Sequence, residues 1–210
     1  LDRNKDLDRL DDLVTSGGVQ LCYLEDSKLN SAPWSTNGGA IAGTLLQFTG
    51  SLEVLNPAST ESVPIVELAD STKQYAGILK ASKTGTTDSV TTGTFVWVSR
   101  SGFVEVGHKA GAAANIFDLS TGAGGLSFAA GETVFVGPNS SELQGIPFRD
   151  SDDFASSSTS FPDVMIPAGI VVNATKPGTI LAIPSWNYSG SGLDKASTFR
   201  FKGLGDFSSL

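Results

Sequence analysis

Four times along the chain a glycine leads straight into a run of apolar residues. The runs are Gly43–Phe48 (GTLLQF), Gly93–Val98 (GTFVWV), Gly131–Val136 (GETVFV) and Gly178–Ile183 (GTILAI). Each is short and bounded by turn residues, which reads as a strand. The apolar positions are continuous rather than alternating, which predicts strands covered on both faces or closed into a small barrel. The leading glycine admits positive φ or a close backbone approach, and the threonine that follows in three of the four runs favours extended backbone. Other apolar runs fall between them: VQLCYL at 19–24, VPIVELAD at 63–70, AGILKA at 76–81, FVEV at 103–106 and AGIVVNA at 168–174. Ser99-Arg100-Ser101-Gly102 reads as a hairpin turn that returns FVEV beside GTFVWV.

The runs recur in order, so the chain reads as two copies of one unit. Each copy has an opening strand (GTLLQF or GETVFV), a central strand beginning Ala-Gly-Ile, and a closing strand (GTFVWV or GTILAI). The spacing from Ala-Gly-Ile to the closing glycine is shorter in the second copy, as expected if the segment between is a surface loop. The expected fold is all-β: two small β-barrel or sandwich-like units with extended N- and C-terminal arms. The divisions are 1–16 as an N-terminal arm or short helix, 17–110 as the first β unit, 111–186 as the second, and 187–210 as a flexible C-terminal arm.

The arms differ from the body. Within residues 1–14, Leu7, Leu10 and Leu13 or Val14 share one face of a possible amphipathic helix, flanked by Asp and Arg. A helix that short needs a partner to persist in water, and the alternative is a frayed polar terminus. Asn187–Gly192 has linker composition. Beyond it, Phe199, Phe201, Leu204 and Phe207 lie on a stretch too short to build its own core. Apolar arms of this kind dock on a neighbour or fold back on their own body.

Composition narrows the function. Charged residues are 17% of the 210, against about 25% for an average domain, and glycine at 24 residues is over-represented. The net charge of −8, with an isoelectric point near 4.5, disfavours nucleic acid, which needs a basic stripe. No 18-residue apolar stretch predicts a membrane span, and the charged first 13 residues lack the apolar centre of a signal peptide. One cysteine, Cys22, allows no intrachain disulfide and reads as a small buried hydrophobe. With a single histidine, His108, the common zinc sites are excluded, and His108 has no GxSxG elbow to serve. Asp150, Asp152 and Asp153 lack the EF-hand pattern and read as a solvated loop. No phosphate-binding GxxxxGK[ST] occurs. No metal or cofactor is expected. Among the aromatics, Trp97 reads as core, whereas Trp186 and Tyr188 follow a strand end and are the better candidates for exposed contact with a glycan. Asn139, Asn173 and Asn187 fit the short N-glycosylation pattern, which arises by chance in Ser/Thr-rich chains.

The order GETVFVG, AGIVVNA, PGTILAI, and the parallel order AGILKA, GTFVWVSRSGFVEV, resembles the head-decoration, or cement, proteins of tailed bacteriophages. Those small β-barrels read roughly as Gly-x-x-Val-x-Val, Gly-Val-Ala, a strand, a glycine turn and a returning strand. The resemblance covers Gly43 to Ile183; the doubled unit and the Phe-rich tail depart from the family pattern. It implies a non-enzymatic structural protein, made in the host cytoplasm, that ends on the outside of an assembled icosahedral capsid. There it would bind at symmetry axes, often as a trimer, and bridge subunits of the major capsid protein. The contact elements would be Leu7, Leu10 and Leu13 at one end and Phe199, Phe201, Leu204 and Phe207 at the other. Two rival readings are a virion fibre or adhesin module that binds host-surface glycans, and a glycan hydrolase or lyase with two close carboxylates on a β scaffold.

Overall fold

The computed structural model describes residues 18–32, 34–55, 57–58, 60–70, 72–80, 89–106, 128–136, 144–149, 166–174 and 178–182. The described chain is all-β, in two sheets, as the apolar runs predict. The first set of strands is β1 (Val19–Leu24), β2 (Leu45–Val54), β3 (Ser62–Leu68), β4 (Tyr75–Lys80) and β5 (Thr94–Ser99). The second is β6 (Gly102–Glu105), β7 (Thr133–Val136), β8 (Pro147–Arg149), β9 (Pro167–Asn173) and β10 (Thr179–Ala182). Two short 3₁₀ turns, Ser27–Asn30 and Ser35–Asn37, link β1 to β2. Asp26 caps the first: its Oδ1 accepts from the Lys28 N–H at 2.9 Å and its Oδ2 from the Leu68 N–H at 3.0 Å.

The first five strands close a barrel in which β5, β4, β2 and β3 follow one another around from β1. Closure comes from a parallel pairing of β1 with β3, Tyr23 opposite Ile65; the other pairings are antiparallel. The second five form a sheet in the order β6-β10-β9-β7-β8. This is the same order with every strand advanced by five, so the two copies read in the sequence are two copies of one topology. The return of FVEV onto GTFVWV does not occur. β5 already has β1 on one edge and β4 on the other, so no edge is free. The chain passes through Arg100-Ser101 and β6 instead pairs with β10, opening the second copy.

The correspondence extends to individual hydrogen bonds. Leu45, Leu46 and Gln47 lie opposite Ile78, Gly77 and Tyr75, with a register shift after Leu46. Thr133, Val134 and Phe135 lie opposite Ile170, Gly169 and Pro167, with the shift after Val134. The Gly43 N–H donates to the Leu79 carbonyl at 2.9 Å, and the Gly131 N–H donates to the Val171 carbonyl at 2.7 Å. Both glycines hold positive φ, 100° and 90°. The turn before each opening strand is tied by a side chain. Thr44 Oγ1 accepts from the Ile41 N–H at 3.2 Å, and Glu132 Oε2 accepts from the Ala129 N–H at 2.7 Å.

The closing strands differ. Ser99 faces Ile78 in the first copy, whereas Leu181 faces Ile170 in the second. Aligned on their glycines, GTFVWV and GTILAI are therefore slipped by three residues. An odd slip exchanges the two faces of a strand. Val96 and Val98 point inward in the first copy; Ile180 and Ala182 do so in the second.

One continuous apolar core runs through both units. It fills the barrel with Cys22, Leu24, Leu46, Leu68 and Leu79, and continues through Val104, Val134, Val171 and Ile180. β4 and β5 lie against β6 and β9. A polar latch joins the units at one side. The Gly145 carbonyl accepts from the Leu45 N–H at 2.8 Å and the Gly145 N–H donates to Ala69 at 2.7 Å. Beside it, Gln144 Nε2 donates to Asp70 Oδ2 at 3.1 Å.

Candidate partner-binding surface

The outer face of the barrel at β1 and β5 carries an apolar strip. Along β5, Val96 and Val98 turn into the core, which puts Phe95 and Trp97 outside. Each remains 41% exposed. The antiparallel register sets Tyr23 opposite Phe95 and Leu21 opposite Trp97, both half-buried. The Tyr23 and Phe95 rings meet edge-on, centroids 5.0 Å apart at 62°, a favourable aromatic arrangement. Across β3 the strip ends, because Ile65, opposite Tyr23, is buried; on β4, Lys80 lies opposite Trp97. The expectation that Trp97 is core is corrected here. In a run of six apolar or neutral residues the sequence carries no period to say which face is inward, and the pairing with β1 and β4 decides it.

The second copy differs at the level of Trp97. The residues equivalent to Trp97 and Leu21 by pairing are Thr179 and Glu105, which face each other across β10 and β6. At this level of the topology the second copy carries a polar pair where the first carries Leu21 and Trp97.

The other aromatic candidates divide. Trp34 and Tyr75 are buried, at 1% and 3% exposure, and belong to the core. Trp186 and Tyr188 lie outside the described residues, as do His108, the acidic loop Asp150, Asp152 and Asp153, and the arm residues Leu7, Leu10, Leu13, Phe199, Phe201, Leu204 and Phe207. Cys22 is buried, and that burial pushes its thiol up to about 12 against a weaker opposing pull from Arg100. A thiol held neutral in this way is a core hydrophobe rather than a nucleophile or metal ligand.

Among the described residues, Glu67 and Asp70 come together on the first unit. Gln47 Nε2 donates to Glu67 Oε1 at 2.9 Å and to Asp70 Oδ1 at 2.8 Å. Asp70 also accepts from Gln144, from the Thr72 N–H at 3.1 Å and from the Thr72 hydroxyl. Glu67 is held by Lys73 at 2.7 Å, and that contact raises the Lys73 ammonium. Both Asp70 oxygens and Glu67 Oε1 accept from intramolecular donors, and the network spans the seam between the two units. Asp70, Gln47 and Gln144 form its buried part, and Glu67 with Lys73 its solvent edge. Among the described residues no three His, Cys, Asp or Glu side chains gather to hold a metal, and no helix is long and apolar enough to cross a membrane. No known protein family, curated protein or solved structure matches this chain.

Proposed function

We propose that this chain is a structural protein of a virus particle, a decoration or cement protein that binds the outside of an assembled icosahedral capsid and bridges subunits of the major capsid protein. It needs no cofactor and carries out no reaction. The observation that carries the reading is the strip of Leu21, Tyr23, Phe95 and Trp97. Exposed aromatics on a rigid sheet, flanked by few charges, have the composition of a contact surface rather than of a solvated face. The resemblance over Gly43 to Ile183 supplies the class of partner. The acidic net charge turns the chain away from nucleic acid. Many weak contacts repeated on a symmetric shell add by avidity, so a modest strip per chain suffices. In this reading the chain assembles as a trimer at symmetry axes, and the apolar side chains of the terminal segments, Leu7, Leu10, Leu13, Phe199, Phe201, Leu204 and Phe207, add straps to the shell.

The test has two stages. The chain is first quantified against the major capsid protein in purified particles; a ratio near one, or a simple fraction of the lattice, is expected. Phe95→Ser and Trp97→Ser proteins are then titrated onto undecorated shells, where binding should weaken about tenfold or more. A handful of copies per particle would favour the fibre or adhesin reading. That alternative has one observation of its own: Trp97, between Lys80 and Leu21 on the neighbouring strands, offers the stacking face a sugar ring uses, so saturable glycan binding lost in Trp97→Ser would support it. Absence from particles would remove both.

A further inference from the structure

A second apolar face lies on the other unit, and the duplication indicates what covers it. In the first copy the outward row at the level of the central isoleucine runs Val19, Ser99, Ile78, Leu45 across β1, β5, β4 and β2. Ser99, Ile78 and Leu45 are 1%, 0% and 0% exposed. They are covered because the second unit packs there, β6 and β9 against β4 and β5, with Gly145 bonded to Leu45. The equivalent row of the second copy runs Phe103, Leu181, Ile170, Thr133 across β6, β10, β9 and β7. This row is open. Phe103 is 65% exposed, Leu181, Ile170 and Thr133 are half-buried, and Val172, two residues along from Ile170, is 45% exposed.

The apolar character is confined to this row and its neighbour on β9. The next row on the same face is Glu105 opposite Thr179, so the second unit does place polar residues where its outer face meets water. Three of the four residues in the row are apolar and lie beside a polar row, the composition of a contact surface rather than a solvated face. Within one chain, the same row of the same topology receives a β-sheet of this very fold. We infer that Phe103, Ile170, Val172 and Leu181 form a docking face for a second copy of this chain, sheet against sheet at about 10 Å. The face is separate from the Trp97 strip, and the inference stands whether or not the partner of that strip is a capsid.

Sedimentation velocity of the full-length chain between about 1 and 100 µM reads this directly, because self-association follows mass action. The wild type should form a multimer that grows with concentration. Phe103→Asp and Val172→Asp should each raise the dissociation constant about tenfold or more, with unchanged far-ultraviolet circular dichroism, while Trp97→Ser leaves the mass distribution as it was. Two charged variants are used because both sites are exposed and at least one is expected to keep the native fold. A wild type that stays monomeric throughout, or charged variants that keep the multimer mass, would overturn the assignment.

Discussion

At the scale of single residues, inward and outward positions of two paired strands, β4 and β5, have opposite consequences. Leu79 is fully buried in the barrel, whereas Trp97, opposite Lys80 on the neighbouring pair, faces outward. Leu79→Ala should cost about 2–5 kcal/mol, the usual range for a large-to-small change in a packed core. Trp97→Ser should cost under about 1 kcal/mol and act on binding instead; urea denaturation of the two variants measures the contrast. Cys22 sets a pH dependence. Its thiol ionises from an ordinary 9.0 in the unfolded chain but from about 12 when buried, so the folded state keeps a proton that the unfolded state loses. Its contribution to stability is therefore complete below about pH 9 and is lost as pH rises towards 12. The Tyr75 phenol, also raised by burial, adds to the same slope. Denaturation midpoints should fall across this alkaline window, and less steeply in Cys22→Ala. The native thiol should also resist thiol reagents until the chain is unfolded.

At the scale of elements, the central strand shows why Ala-Gly-Ile is written twice. A Cβ on Gly77 would lie 2.5 Å from the Ser99 carbonyl oxygen, and one on Gly169 would lie 2.5 Å from Ile180 Cγ2 and 2.7 Å from the Leu181 carbonyl oxygen. In both copies the closing strand crosses so tightly that only glycine fits. Gly77 also holds φ +148°, which adds backbone strain to any side chain there. Gly77→Ala should therefore cost about 2–5 kcal/mol and Gly169→Ala about 1–3 kcal/mol, an order that thermal unfolding of the two variants tests. The recurrence of the glycine was legible in the sequence. Its cause was not, because the atoms it must clear belong to a strand some twenty positions later in the first copy and about ten in the second.

At the scale of the whole molecule, one core and one polar latch bind the two units. Because the apolar cluster is continuous across them, unfolding should be a single cooperative transition, with tryptophan fluorescence and far-ultraviolet dichroism tracing the same curve. Asp70 holds together Gln47, Thr72 and Gln144 from both units. Asp70→Ala removes the acceptor these donors share and should cost about 1–3 kcal/mol; a transition that separates into two steps in this variant would show that the latch also couples the units. The two outward apolar faces lie on different copies, the Trp97 strip on the barrel and the Phe103 row on the second sheet. Under the two proposals above, one chain offers two different contacts.

By itself the sequence determined the all-β class, the places of the opening, central and closing strands, and the existence of two copies. These follow from local signals: glycine before an apolar run, threonine after it, turn residues between, and the repeat of that order. The tertiary structure alone decided which side of GTFVWV faces water, that GTILAI presents the opposite phase, and that FVEV begins the second copy rather than ending the first. It also decided that the first copy closes through a parallel β1–β3 pair. The reason is physical. A continuous apolar run has no period-two pattern to mark its inner face, and a one-residue change of phase exchanges the faces at no local cost. Which edge a strand joins depends on which edges distant strands have left open. Phe95, Trp97 and Phe103 were therefore visible as residues in the sequence, but only the pairing of strands far apart in the chain made them surface.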